Sequence, residues 1–308
     1  MTTKPSTSKV AVSIDVEDWY HGPSVMPPGD SGAALKQFLD AHPDAERGYR
    51  YVDACLEMLD RRGIKATFFW VAEYARRHPE LLRRVAAAGH EIGCHGLTHA
   101  AKLDARTKRP LFTPAAFSER TIQARAILQE LCGRAVIGYR APNAYVSGAM
   151  LDALEELGFR YDSSVSVNSL YNKTDSRLAG VTTRPYYPAR GGLGLANARR
   201  GLIEFPWPYL DLCGFKMQAA GGPFLRLFGS TLILRGLSQS LRRGHTVFYF
   251  HPIDICNEDF PFKFSLKRPF LWYIKGERVK RRVERVLDFI RDRAVNFEAL
   301  LRDPELVS

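Results

Sequence analysis

Short apolar runs alternate along the chain with stretches whose hydrophobic positions recur every three to four residues. Residues 10–15, 66–71, 90–94, 136–140, 159–164, 203–208 and 245–251 read as buried strands. Between them lie helix patterns. Val52, Cys55, Leu56 and Leu59 mark one that Gly63 ends. Residues 81–88, behind Pro79 and with Gly89 at the C′ position, mark another. Thr113 and Pro114 look like the N-cap and first turn of a helix running towards Leu131, and 150–157, closed by Gly158, read as a fourth. Residues 223–242 end in basic side chains, as the helix dipole favours. Residues 26–48 form a Pro/Gly-rich connection, and 168–200 a long loop or small hairpin of the kind that faces substrate. Strand and helix alternate about seven times, which predicts parallel α/β architecture.

The strands finish on chemistry. Asp15 and Asp18 follow the first, His95 and His99 the third, Arg140 the fourth, Trp207 the sixth and His251 the last. Closing such strands into a barrel puts these residues on one rim, where α/β barrels carry their sites. In His95-Gly-Leu-Thr-His99, one helical turn would bring both imidazoles to one face, a pairing that suits zinc and similar ions. Asp15, Glu17 and Asp18 crowd three carboxylates into four residues, which repel unless a cation or an arginine sits among them.

Composition narrows the class. The chain has 308 residues, 45% apolar and 25% charged, enough for one large globular domain. Five scattered cysteines form no CxxC pair, so neither a disulfide framework nor a zinc ribbon is expected. Residues 1–9 are polar without an apolar core, and no run of 18 apolar residues occurs; the expectation is a cytoplasmic protein without signal peptide or spanning helix. Net charge is +11, and residues 263–285 hold nine Lys/Arg against two Glu, so +7 lies there. Phe264, Phe270, Trp272 and Tyr273 accompany that charge, and Val279, Val283, Val286, Leu287 and Ile290 stripe the following helix. Packing of that stripe explains the helix; the segment's functional option is peripheral contact with the anionic inner face of a membrane. No recognised nucleic-acid module is present, so no nucleic-acid partner is expected.

Together, Ser-Ile-Asp15-Val-Glu-Asp18-Trp, His95-Gly-Leu-Thr-His99, Tyr139-Arg140-Ala-Pro142, Phe-Pro-Trp207 and Phe-His251-Pro resemble the five ordered motifs of the polysaccharide deacetylase (NodB-homology) family, carbohydrate esterase family 4-like. The resemblance runs from about residue 10 to 252. It implies a distorted (β/α)7 barrel over residues 8–260, with 261–308 a basic aromatic extension packed on the same domain.

The resemblance further implies a hydrolase that removes an N-acetyl, or a formyl, group from an amino sugar in a polysaccharide or glycan precursor; the basic aromatic segment and Arg-rich loop point to a lipid- or nucleotide-linked precursor. A catalytically silent carbohydrate-binding protein on the same barrel is the alternative. The implied cofactor is one divalent metal, usually zinc, with Co2+, Ni2+, Mn2+ or Fe2+ as other occupants. Asp18, His95 and His99 would be its ligands, Asp15 the general base, His251 the general acid, and Arg140 the holder of Asp15. Trp207, Pro142 and Tyr139 would shape the substrate groove. Most family members carry two adjacent aspartates where this chain has Asp-Val-Glu-Asp, as in a subgroup; Glu17 is the other candidate ligand, and Asp18 is preferred because a shorter carboxylate after a turn can bend back to the ion.

Overall fold

A computed structural model describes residues 8–21, 37, 39–99, 112–170, 178, 180–260, 273–304 and 306–307. Most of the 26–48 connection, part of the 168–200 loop and residues 263–272 of the basic aromatic run lie outside the described residues.

Eight strands form one parallel sheet: β1 (Val10–Val16), β2 (Thr67–Trp70), β3 (Glu91–Cys94), β4 (Gly138–Tyr139), β5 (Tyr161–Asp162) and β6 (Ile203–Glu204) neighbour one another in chain order. A hairpin of β7 (Tyr209–Leu212) and β8 (Phe215–Gln218) stands apart from it. The last two strands return to β1: β9 (Thr246–Phe250) and, beside its first residues, β10 (Ala294–Val295). Backbone hydrogen bonds then complete the curl. Trp207 N–H donates to the Val165 carbonyl, Ala219 N–H to Pro208 and Tyr249 N–H to Ala220, so residues 219–221 bridge β9 to the far edge. The result is the distorted barrel that the sequence implies.

Period-two alternation assigns the faces of β1. Ala11 packs inside the barrel with Phe69, Tyr161, Phe205, Tyr249 and Phe297, an aromatic plug; Val10, Val12, Ile14 and Val16 join the core beneath the helices. Ser13 and Asp15 share the Ala11 face, so the acid tops the plug rather than facing the helices.

Among the described residues the helices include α1 (Val52–Asp60), α2 (Ala72–Arg77), α3 (Pro79–Ala87), α4 (Pro114–Cys132), α5 (Gly148–Glu156), α6 (Gly222–Arg243), α7 (Glu277–Ile290) and α8 (Phe297–Leu301). Thr113 caps α4 as expected, its hydroxyl accepting from Ala116 N–H at 3.2 Å. On α7, Val279, Val283, Val286, Leu287 and Ile290 are fully buried against the core, each contributing about 1.5–3 kcal/mol. The segment expected as an extension is thus structural: α7 packs on α6, and β10 is a strand of the barrel. All five cysteines are free, and no helix among the described residues is long and apolar enough to cross a membrane.

Candidate metal centre and catalytic site

The C-terminal ends of the strands gather one buried constellation. The imidazoles of His95 and His99 lie 4.9 Å apart between ring centroids, at 66°. No helical turn brings them together, contrary to the expectation. The loop after β3 bends back on itself, with Gly96 at φ 77° and His99 at φ 60°. His95 Nδ1 donates to the Arg140 carbonyl at 2.8 Å, which fixes the tautomer and leaves the Nε2 lone pair bare. Both ring nitrogens of His99 are buried without an aligned hydrogen bond among the described residues.

Glu17 supplies the carboxylate. Its Oε2 lies 2.5 Å from His99 Nε2 and 3.6 Å from His95 Nε2, and one atom from each of the three residues falls within 4.8 Å of the others. Burial pushes the Glu17 carboxyl up, but His99, His95 and His251 outweigh it and hold the group well below the usual carboxylate range. Two imidazoles and a carboxylate, buried, converging and short of other partners, fit a divalent ion with open coordination positions.

Asp18 does not join them, which corrects the preferred ligand assignment. Its Oδ1 accepts from Trp19 N–H, and its Oδ2 from Arg47 N–H, Gly48 N–H and the Tyr74 hydroxyl, all at 2.8–2.9 Å. Four donors saturate that carboxylate, and burial still raises it to about 6. Its role is to tie the exit of β1 to residues 47–48 and to α2. Alternation along an extended backbone explains the difference: Asp15 and Glu17, two apart, share a side, whereas Asp18 faces the other way.

Asp15 sits beside this cluster. Arg140 Nη1 donates to its Oδ1 at 2.7 Å and to Ser13 Oγ at 2.8 Å, while Nε and Nη2 reach Ser163 O and Oγ at 3.0 Å. The guanidinium is fully buried over Phe69, 4.4 Å from the ring centroid. His251 closes the far side, its Nε2 4.0 Å from Asp15 Oδ2 and 3.6 Å from Glu17 Oε1. Asp254 Oδ2 accepts from both the His251 N–H and Nδ1, each at 2.9 Å. Burial disfavours the charged ring, yet Asp254, Glu17 and Asp15 together lift it to about 9.

The expected groove residues fall differently. Trp207 is buried; its indole N–H donates to Ser163 O at 3.0 Å, and its ring leans on Tyr249. Tyr139 is buried edge-to-face with Phe117 and Phe159. Tyr139 and Pro142 do line a narrow cleft beside His99, with Thr98 and Arg120. Asp254 was missed by sequence reasoning, although its place three residues after His251, behind a proline, is the spacing of a capped 3-10 turn.

Comparison with known proteins finds deacetylase relatives. Residues 40–161 match the polysaccharide deacetylase family model, and residues 177–299 match a domain of unknown function. Over residues 40–161 the chain is therefore similar to the polysaccharide deacetylase family. It is 43% identical over 44 residues to a chitooligosaccharide deacetylase of Sinorhizobium fredii, covering 14% of this chain and 20% of that protein. With a peptidoglycan-N-acetylglucosamine deacetylase of Bacillus cereus it shares 24% identity over 113 residues, 36% of this chain and 48% of the relative. These matches span a fifth to about half of the curated relatives' length. Among solved structures, one assigned as a polysaccharide deacetylase from Mycobacterium smegmatis superposes with a TM-score of 0.59 at 20% identity, covering 97% of this chain and 91% of that one. A family pseudoenzyme from Bacillus anthracis gives 0.51 at 10% identity, over 97% of this chain and 66% of that one, so the fold alone does not certify activity.

Proposed function

We propose that the protein is a metal-dependent carbohydrate N-deacetylase, with Glu17, His95 and His99 as the metal ligands. One observation carries this reading: the Glu17–His95–His99 cluster is flanked by an Arg140-held carboxylate, Asp15, on one side and an Asp254-held imidazole, His251, on the other. A divalent cation held there, zinc or a similar ion, would polarise the acyl oxygen and bring the pKa of a water near neutrality. Asp15, anchored through Oδ1, offers Oδ2 to take a proton from the attacking water. His251, cationic in this field, gives a proton to the amine nitrogen as the C–N bond breaks, releasing acetate and a free amino sugar. The presence of Asp15, Arg140, His251 and the Glu17–His95–His99 cluster together favours this reading over the silent-binder alternative.

The test is acetate release from chitooligosaccharides and N-acetylated peptidoglycan fragments, before and after chelation and on reloading with Zn2+ or Co2+. Chelator-sensitive, metal-restored release is expected. No release from any of these substrates by protein carrying one bound metal would overturn the assignment. The +7 run at 263–285 supports a phosphate-bearing substrate, lipid- or nucleotide-linked. Its signature is a KM that rises with salt for the phosphorylated sugar and not for the neutral oligosaccharide.

A further inference from the structure

Helix α6 is broken near its start. Gly229, at φ 77° and ψ −179°, leaves the helical conformation after the second turn, a geometry strained for any side chain. Arg282 of α7 holds the turn before the break: its Nη1 donates to the Leu225 carbonyl at 3.1 Å and to the Arg226 carbonyl. Its guanidinium also lies 3.7 Å from where a β-carbon at Gly229 would stand. Arg226, on that turn, is 4% exposed, with Nε 3.4 Å from Asp254 Oδ1. The other oxygen of Asp254 holds His251. Gly276, which opens α7, adds a second hold, donating its N–H to the Asp254 carbonyl at 2.9 Å.

Burying a guanidinium is costly unless it is matched to an anion. Here the match falls on the one carboxylate that orients the acid, and the turn carrying it is pinned from a different helix. We propose that α7 is a positioning element for His251: Arg282 fixes the turn of Arg226, Arg226 fixes Asp254, and Asp254 aims the imidazole at the space between Asp15 and Glu17. The inference rests on His251 being the general acid. Arg226 and Arg282 are positioning residues and touch no substrate.

The experiment compares Arg226→Gln and Arg282→Gln, with Arg226→Lys and Arg282→Lys as conservative partners, on two substrates. An N-acetylated chitooligosaccharide leaves as an amine and needs a proton; 4-nitrophenyl acetate leaves as a stable phenolate and needs none. Expected for the glutamine variants is a kcat loss of about 10- to 100-fold on the amide, with KM within about 2-fold and aryl ester hydrolysis nearly unchanged, since positioned acid catalysis contributes about 10²–10⁴. The lysine variants should recover part of the loss. The downfield proton resonance of His251 Nδ1–H, in 15N-histidine-labelled protein, reports the Asp254 hydrogen bond without substrate and should shift in both glutamine variants. Equal loss on both substrates, or no loss on either, would overturn the proposal. If the wild-type protein releases no acetate, the deacetylase reading fails by itself; an unchanged His251 resonance in Arg226→Gln then sinks the positioning role separately.

Discussion

Glu17 Oε2 lies 2.5 Å from His99 Nε2, while the carboxylate of Asp18, one residue on, is turned away into the backbone at residues 47–48. Glu17→Gln is expected to cut bound metal from about one equivalent to less than a tenth, leaving the thermal transition in place. Asp18→Asn should do the reverse, keeping the metal while costing about 1–3 kcal/mol for the strained acceptor set. Elemental analysis after dialysis, paired with denaturant unfolding, separates the two. Equal metal loss in both variants would contradict the ligand assignment.

Arg140 holds Asp15 through Oδ1, and its guanidinium hydrogen bonds reach Ser13 and Ser163 as well, while His251 Nε2 lies 4.0 Å from Asp15 Oδ2. Removing one member of a buried pair costs about 3–5 kcal/mol, so Arg140→Met should unfold at markedly lower denaturant. Arg140→Lys keeps the charge and loses the planar fork. A drop in kcat of about 100-fold with modest change in KM is expected, because the base is misaimed.

A β-carbon at Gly48 would stand 2.4 Å from the Glu17 carbonyl oxygen and 3.2 Å from the Tyr74 hydroxyl. Gly48→Ala must therefore push residues 47–48 off Asp18 or displace the backbone of Glu17. The expected result is a loss of about 1–3 kcal/mol together with weaker Zn2+ binding, measured by unfolding and by competitive metal titration. Full retention of both would show that the backbone at Glu17 has slack.

Glu46 titrates with the fold. Burial would raise its carboxyl, but His78 and Arg77, with the Tyr20 hydroxyl, hold it at about 2 against an ordinary 4.5. A folded value below the unfolded one stabilises the protein above pH 4.5, and that contribution fades as pH falls from 4.5 to about 2. Glu46→Gln should cost roughly 3 kcal/mol at pH 7, and the gap to wild type should close in acid. Denaturant midpoints at pH 7, 5 and 3 check it.

The strands that carry the site were legible because a parallel strand buried on both faces leaves an unbroken apolar run with a polar residue where it exits. Such runs do not show how much of each strand pairs: 136–140 reads as five residues and forms a two-residue ladder, Gly138–Tyr139. Strand β10 and helix α8 are too short for any period to register. The break at Gly229 is hidden because apolar residues continue on both sides of it. At the site, residue types were readable and directions were not. The choice between Glu17 and Asp18 depended on which side of an extended backbone faces His99, and that is fixed by Tyr74 and residues 47–48, contributed from elsewhere in the chain.

Strand β1 is paired with β9 on one side and with β10 beside its first residues, and Lys9 N–H already bonds His245 Nδ1 across 236 positions of sequence. The floor of the barrel is knotted the same way, with Phe297 N–H on the Thr67 hydroxyl. During synthesis, β1 can pair with β2 on one edge early, but its other edge must wait for residues 246–250, and Val10 and Ala11 gain β10 only when residues 294–295 arrive. Such distant pairings, closed only after most of the chain is made, slow the folding of the barrel.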